Sequence, residues 1–360
     1  QVCKAMAELN PQEGTGPQAD GEPPFLLGLI ADIQYADADD GTDFSGKEKR
    51  YFRNALNIAV RAVEHWNTVK VDAVVQLGDI IDGINHQHGQ SKTALNAVLD
   101  VLNGCTAQCR YDLIGNHELY NIHRCDLQAS GLKCIGAEGK TYFSCQLGPH
   151  WEAIFLDPYE LSLIGMHDKE LGYQSAVDLM QKFNPKVLTG AKDWFDGLPV
   201  DLHRYVPYNG AVSSEQLEWL KLTLARAAAV QRSVLVFTHV PLYEPATHPK
   251  TVVWNCEDIL ALLRAHRNIV AAVLAGHDHS GGYAVDDAGI HHITMNSPLT
   301  TTPGTDCCAV LELHADGTAK FVAHGRACVQ SGTKGAGKHY PVLDLRKGVE
   351  NVPSGLAKGE

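Results

Sequence analysis

Five short apolar runs in this chain each break off into polar residues able to bind metal, and this recurrence constrains the fold more than any bulk property. The runs are PFLLGLIADIQ, VDAVVQLGDIIDG, CRYDLIGNHELYN, QRSVLVFTHVP and NIVAAVLAGHDHSGG. Each fits a buried strand that ends in a polar loop. Segments with helical spacing lie between them. In RYFRNALNIAVRAVEHWN, Phe52, Leu56, Val60, Val63 and Trp66 recur at three- and four-residue steps. SKTALNAVLDVLNG reads as a second helix, closed by Gly104. SSEQLEWLKLTLARAAA opens with a capping box, Ser213 to Gln216, and places Leu217, Leu220 and Leu224 on one face. CEDILALLRAH is a further helix, HWEAIFLDP looks like a strand of a second sheet, and GIHHITMNS and CCAVLELH alternate as short strands.

Strands alternating with helices, followed by a strand-rich end, predict an α/β layered core with mixed sheets. Residues 1–24 read as a loose leader and residues 25–330 as the ordered domain, with a Gly- and Lys-rich flexible tail from 331 to 360. The stretch 158–209 fits the repeat poorly and is long for a plain connection, so it reads as an insertion over the site, a specificity lid. At 44 % hydrophobic and 20 % charged residues, the chain can bury a substantial core.

Net charge of −12 disfavours a nucleic-acid coat. It leaves room for a phosphate substrate, because bound cations reverse the local field in a cleft. Ile269 to Ala275, the longest apolar stretch, is far short of the roughly 18 residues of a membrane-spanning helix. The N-terminal stretch has no apolar signal-peptide core, so a cytoplasmic monomer is expected, although a start at Gln1 leaves secretion open. Ten cysteines are too dilute for a disulfide scaffold. Cys105 with Cys109, and Cys307 with Cys308, could pair, but reduced thiols are expected.

The five strand ends carry Asp32 and Gln34, Asp79 and Asp82, Asn116 with His117 and Glu118, then His239, then His277 and His279. In α/β sheets such groups gather beyond the carboxyl ends of the strands. Each element alone is ambiguous. A lone histidine is more often packed or solvated than a ligand in a chain with 18 of them, and Asp or Gly-Asn at a turn is ordinarily a cap or turn signal. Their joint occurrence, always after an apolar strand, points to a centre of two divalent cations. Two cations about 3.5–4 Å apart can clamp the attacking and leaving oxygens of a phosphoryl transfer. Holding them needs an anionic bridge, for which Asp79 in its tight Gly-Asp turn is the candidate. Carboxylate, amide and imidazole donors without thiolate suit manganese or magnesium better than a soft, sulfur-seeking ion.

The motif set D-I-Q, G-D-I-I-D, G-N-H-E, a single His and G-H-D-H resembles the calcineurin-like metallophosphoesterases from Phe25 to Arg326. The resemblance implies a four-layer α/β/β/α sandwich with two mixed sheets. It implies that Asp32, Gln34 and His279 hold one metal and that Asn116, His239 and His277 hold the other, with Asp79 bridging. His117 would be the general acid or a transition-state hydrogen-bond donor beside the leaving oxygen. Gln34 departs from the usual D-x-H and offers an amide oxygen where imidazole is common. That departure, with KRYFRNAL, GNHELYN, YNGAVSSEQLEWL and AGHDHSGGY, is similar to the manganese-dependent ADP-ribose/CDP-alcohol diphosphatases. The tripeptide after Tyr208 is Asn-Gly-Ala where that group has Asn-Gly-Gly.

The implied reaction is pyrophosphate hydrolysis of nucleoside diphosphate compounds by a metal-bridging hydroxide. ADP-ribose would give AMP and ribose 5-phosphate, and CDP-choline would give CMP and phosphocholine. Glu118 could orient His117 or be a surface glutamate, and Asp82 could stand behind the metals or serve the turn. Tyr35, Tyr120, Asn209 and Gly282 lie beside motif loops and could border the substrate, with packing or turn roles equally open. Rival readings are a cyclic-nucleotide phosphodiesterase or phosphomonoesterase on the same core, and a metal-binding scaffold without catalysis. The G-D-x-x-Y tyrosine of purple acid phosphatases is absent, with Asp82 in its place.

Overall fold

The computed structural model describes residues 22–43, 46–330 and 338–345. Strand β1 (Phe25–Ile30) runs parallel to β2 (Ala73–Gln76), which runs parallel to β3 (Cys109–Asp112). Helix α1 (Phe52–Val69) makes the first crossover and α2 (Ser91–Asn103) the second. On the opposite side of β1 the pairing turns antiparallel, through β10 (Cys307–Leu313), β11 (Ala319–Gly325) and β12 (Val342–Leu345). A second six-stranded sheet follows the order β8-β9-β7-β6-β5-β4. Its strands are β4 (Phe143–Leu147), β5 (Trp151–Phe155), β6 (Ser233–Phe237), β7 (Val270–Ala275), β8 (Gly282–Val285) and β9 (His291–Thr294). The inner four are parallel and both edges are antiparallel.

Strand periodicity explains the layering, because successive side chains point to opposite faces. Leu27 and Leu29 meet Phe155, Leu235, Phe237 and Leu274 in a core between the two sheets. Their neighbours Ile30 and Val74 face outward, against Ala55, Trp66 and Val98 of α1 and α2. On the far side, Val234, Val236 and Val273 pack on Leu220 and Leu224 of α5 (Ser214–Ala229) and Ile259 and Leu263 of α6 (Cys256–Ala265). The result is a four-layer α/β/β/α sandwich. Gly28 lets α1 approach closely, since a Cβ there would stand 2.8 Å from the Trp66 ring.

Several details differ from the sequence expectation. Val60 is partly exposed on α1, and the buried stripe uses Ala55, Ala59 and Ala62 as well as Phe52, Val63 and Trp66. Small residues let this helix sit close to the sheet, so the stripe is not marked by large side chains alone. Gly104 closes α2 in ordinary right-handed geometry. Ser213 does cap α5 by accepting from Gln216 N–H at 3.1 Å. The Gln216 side chain, however, turns to the backbone of Asp157, and Glu160 accepts the Ser213 N–H instead. The tail is not wholly frayed: β12 adds an edge strand, because the alternation of V-L-D-L buries Leu343 and Leu345 against the sheet. Residues 1–21 of the leader, and the tail beyond Leu345, lie outside the described residues. No disulfide joins Cys105 to Cys109 or Cys307 to Cys308. No helix among the described residues is long and apolar enough to cross a membrane.

Candidate dinuclear metal centre

The centre forms where the carboxyl ends of both sheets meet. The loops after β1 and β2 are stitched side by side, with Asp32 N–H donating to Gly78 O at 3.0 Å and Gln34 N–H to Asp79 O at 2.9 Å. The loops after β6 and β7 are joined likewise, Gly276 N–H donating to His239 O at 3.0 Å. Among the described residues six non-glycines have positive φ, and four of them are Asp32, Gln34, Asp79 and His277. Left-handed backbone is costly away from glycine and clusters at functional sites. Two glycines make the crowding possible. A Cβ on Gly78 (φ +100°) would stand 2.4 Å from the His239 ring, and one on Gly115 would collide with the Asp79 carboxylate.

Asp79 is central and buried. Its Oδ2 lies 2.9 Å from Gln34 Nε2, 3.4 Å from His239 Nε2 and 4.0 Å from His117 Nε2. Its Oδ1 accepts the His117 N–H at 2.7 Å. Donor atoms of Asp79, His239 and His277 fall within 4.8 Å of one another. Asp32 takes the His277 N–H on both oxygens, at 3.0 and 2.9 Å, and stands 3.7 Å from His279 Nε2. Gln34 Nε2 lies 2.9 Å from His279 Nε2.

The ring nitrogens are assigned by their partners. His239 Nδ1 donates to Leu77 O at 2.7 Å, leaving Nε2 buried with no hydrogen-bond partner and aimed at Asp79. Asn209 gives both amide hydrogens away, to Arg204 O and Lys250 O, each at 2.8 Å. Its oxygen therefore accepts from His277 Nε2 at 2.8 Å, and the His277 lone pair is on Nδ1. Asn116 Oδ1 faces the hydroxyl of Tyr159, 3.3 Å away, which also reaches Tyr208 O at 3.1 Å. Gly83 N–H donates to His117 Nδ1 at 2.8 Å, so a neutral His117 carries its proton on Nε2, facing Asp79.

Electrostatics show what this cluster requires. Burial raises the Asp32 carboxyl well above its usual range, with His239 pulling it down and Asp79 pushing it up. Burial opposes charge on Asp79 too, but His239 and His117 hold it below the usual carboxylate range. Burial opposes charge on His239, yet Asp79 lifts it to about 9. Burial and His239 keep His277 well below its usual value, and burial and Arg50 lower His279 to about 3. Two imidazoles thus stay neutral with lone pairs available, while the slot between His239 and Asp79 calls for positive charge. A dication between them meets that demand. The buried Gln34 Oε1 also lacks a partner. Turned inward it would face the Asp79 oxygen and the His279 lone pair, acceptors that only a cation reconciles. The donor set therefore fits two divalent cations.

The other expected site residues divide. Asp82 caps its own turn by accepting from Ile84 N–H at 2.9 Å, and its second oxygen lies 3.4 Å from His117 Nδ1. Glu118 neither orients His117 nor lies on the surface. It is fully buried and accepts the N–H groups of Asp79, Ile80 and Gly115 at 2.7, 2.6 and 2.7 Å, bracing the Gly-Asp turn. Burial and the Asp79 charge raise it to about 7. Tyr120 sets its ring edge-on to His117, centroids 5.2 Å apart, and is partly exposed. Tyr35 bridges to Ile81 by backbone, and its carbonyl accepts from Asn85. Gly282 serves close packing, since a Cβ there would stand 2.2 Å from Ala246 O. Tyr159 and Tyr208 were not foreseen. Tyr159 lies just past β5 in F-L-D-P-Y, another polar break after an apolar strand, so the same rule could have found it.

The insertion 158–209 starts and ends at this centre, through Tyr159 on Asn116 and Asn209 on His277. Between these roots it carries α4 (Leu171–Phe183), and its Ala176, Met180 and Tyr205 pack with Ala211 and Trp254 from beyond the insertion.

The chain is similar to proteins of known type along most of its length. A manganese-dependent ADP-ribose/CDP-alcohol diphosphatase of Danio rerio is 33 % identical over 328 residues, 86 % of this chain and 97 % of the relative. Its namesake in Arabidopsis thaliana is 34 % identical over 288 residues, 79 % of this chain and 89 % of the relative. The crystal structure of a dimetal phosphatase from Danio rerio superposes with a TM-score of 0.80 at 31 % identity, covering 91 % of this chain and all of that one. The calcineurin-like phosphoesterase profile matches residues 26–281, and with that span, those relatives and the buried donor set in view, the chain belongs to the calcineurin-like phosphoesterase family.

Proposed function

We propose that this chain hydrolyses the pyrophosphate bond of nucleoside diphosphate compounds, ADP-ribose and CDP-alcohols among them, with Asp32, Gln34, Asp79, Asn116, His239, His277 and His279 holding two manganese ions. When bound, such a pair neutralises phosphate charge and lowers the pKa of the attacking water. The residues around it set the geometry. Leu77 O and Asn209 fix which nitrogen His239 and His277 present, and the Tyr159 hydroxyl steadies Asn116. Gln34 in place of an imidazole makes its half of the site harder, which favours manganese.

One observation carries the catalytic assignment. His117 accepts a backbone N–H on Nδ1, so its Nε2–H faces the centre 4.0 Å from Asp79. A hydrogen-bond donor held there can stabilise the charge that builds on the leaving phosphate oxygen, while the Gly83 N–H on Nδ1 steadies the ring. Hydrolysis of ADP-ribose would yield AMP and ribose 5-phosphate, and CDP-choline would yield CMP and phosphocholine. The insertion 158–209, rooted on two ligand residues, would act as the specificity lid. The test is a side-by-side assay of ADP-ribose, CDP-choline and 2′,3′-cyclic AMP with manganese, magnesium or zinc. Turnover of the two diphosphates with manganese is expected. Turnover of the cyclic nucleotide alone would replace this reading with a phosphodiesterase.

A further inference from the structure

A second convergence of metal-binding side chains lies away from the dinuclear centre. Donor atoms of His123, His167 and Glu170 fall within 4.8 Å of one another. His123 belongs to the core, just beyond helix α3 (Asn116–Asn121), which carries Asn116 and His117. His167 and Glu170 belong to the insertion, in the H-D-K-E turn that leads into α4. The two rings stack with centroids 4.0 Å apart at 28°. His123 Nε2 is buried without a hydrogen-bond partner, 3.9 Å from Glu170 Oε1. The turn is already shaped, since Glu170 Oε1 accepts the His167 N–H at 2.8 Å. Core and insertion also meet here by backbone, Arg124 N–H donating to Gly165 O at 2.8 Å.

We propose that His123, His167 and Glu170 form a separate mononuclear zinc site that clips the insertion to the core. At 3.9 Å the His123–Glu170 pair is too far apart for a hydrogen bond. Around a tetrahedral zinc with bonds of about 2.0–2.2 Å, neighbouring donors stand roughly 3.3–3.6 Å apart, so a small inward movement completes the shell. Two imidazoles and one carboxylate, with a fourth position open, are a zinc donor set, whereas magnesium and manganese seek more oxygens. His123 Nδ1 faces Cys125 Sγ at 3.2 Å. The Cys125 N–H also points at Nδ1, 3.5 Å away, so this loop orients the ring with Nε2 toward Glu170. Tyr159 and Asn209 tie the ends of the insertion to the catalytic centre, and this ion would tie the turn before α4 to the loop that follows the His117 helix.

The experiment compares the full chain with its His167→Ala, Glu170→Gln double variant, which leaves both partly buried His123 and the dinuclear centre intact. After equilibration with ZnCl2 at buffered free zinc, metal analysis should find about one equivalent less in the variant. Zinc at the dinuclear centre is common to both proteins and cancels in the difference. Limited proteolysis supplies the second readout: zinc should slow cleavage within 171–204 in the parent and not in the variant. Equal zinc content in the two proteins overturns the site. Zinc protection that persists in the variant overturns the clip.

Discussion

The two halves of the proposed dinuclear centre are built differently. In the Asn116–His239–His277 half, each donor is held from outside the donor set, by Tyr159, the Leu77 carbonyl and Asn209 respectively. In the Asp32–Gln34–His279 half, the side chains mainly hold one another: Gln34 contacts both Asp79 and His279, and Asp32 grips the His277 backbone. A ligand held by a separate partner keeps its orientation whatever the metal does, while ligands that hold one another must rearrange when a cation enters. The externally braced half should therefore be the preorganised one, and the other half the one that selects the metal.

Asp79 is the one group shared by both halves, so it should give the largest effect. Asp79→Asn removes the anion that faces Gln34 on one side and His239 on the other. Turnover should vanish and manganese content should fall at both positions, as read by ADP-ribose hydrolysis and metal analysis. Retained activity would refute the bridging role. His117→Ala comes next. It removes a hydrogen-bond donor and no metal donor, so the rate should drop about 10²–10⁴-fold with both metals retained. Metal loss in this variant would mean that His117 serves the centre through structure.

The comparison also explains what could be read from the chain. The seven proposed donors could be picked out because each follows an apolar strand, and strand ends of an α/β sheet converge by topology. Both sheets and most helices were legible from periodicity for the same reason. The supports were not. Leu77 acts through a carbonyl that every residue has, and Asn209 acts because the insertion returns it to His277. Glu118 was misjudged because its spacing beside His117 suggests contact, yet it turns back to brace three backbone N–H groups of the Gly-Asp and Gly-Asn turns. The V-L-D-L edge strand was hidden by its Gly- and Lys-rich flanks, although four residues of alternation suffice at a sheet edge. Contacts set by tertiary return, rather than by local pattern, are the illegible part.

Asn209→Leu tests the braced half directly. It keeps side-chain bulk but removes the oxygen that fixes His277 Nε2 as the donor nitrogen. It also leaves Arg204 O and Lys250 O without their amide partner. Supporting partners of this kind are worth about 10–100-fold in metal affinity or activity, so apparent manganese affinity should fall within that range. An unchanged affinity would erase the distinction between the halves.

Gln34→His tests the other half, with the smallest and most specific effect. An imidazole there replaces an amide oxygen with a softer nitrogen donor, and softer donors favour zinc over manganese. The metal giving fastest ADP-ribose hydrolysis should shift toward zinc, while loss of rate with saturating metal stays well below that of His117→Ala. The braced half should be unaffected, because His239 and His277 keep their partners on Leu77 and Asn209. A shift in metal preference with Asn209→Leu and none with Gln34→His would reverse the assignment, making the braced half the one that selects the ion.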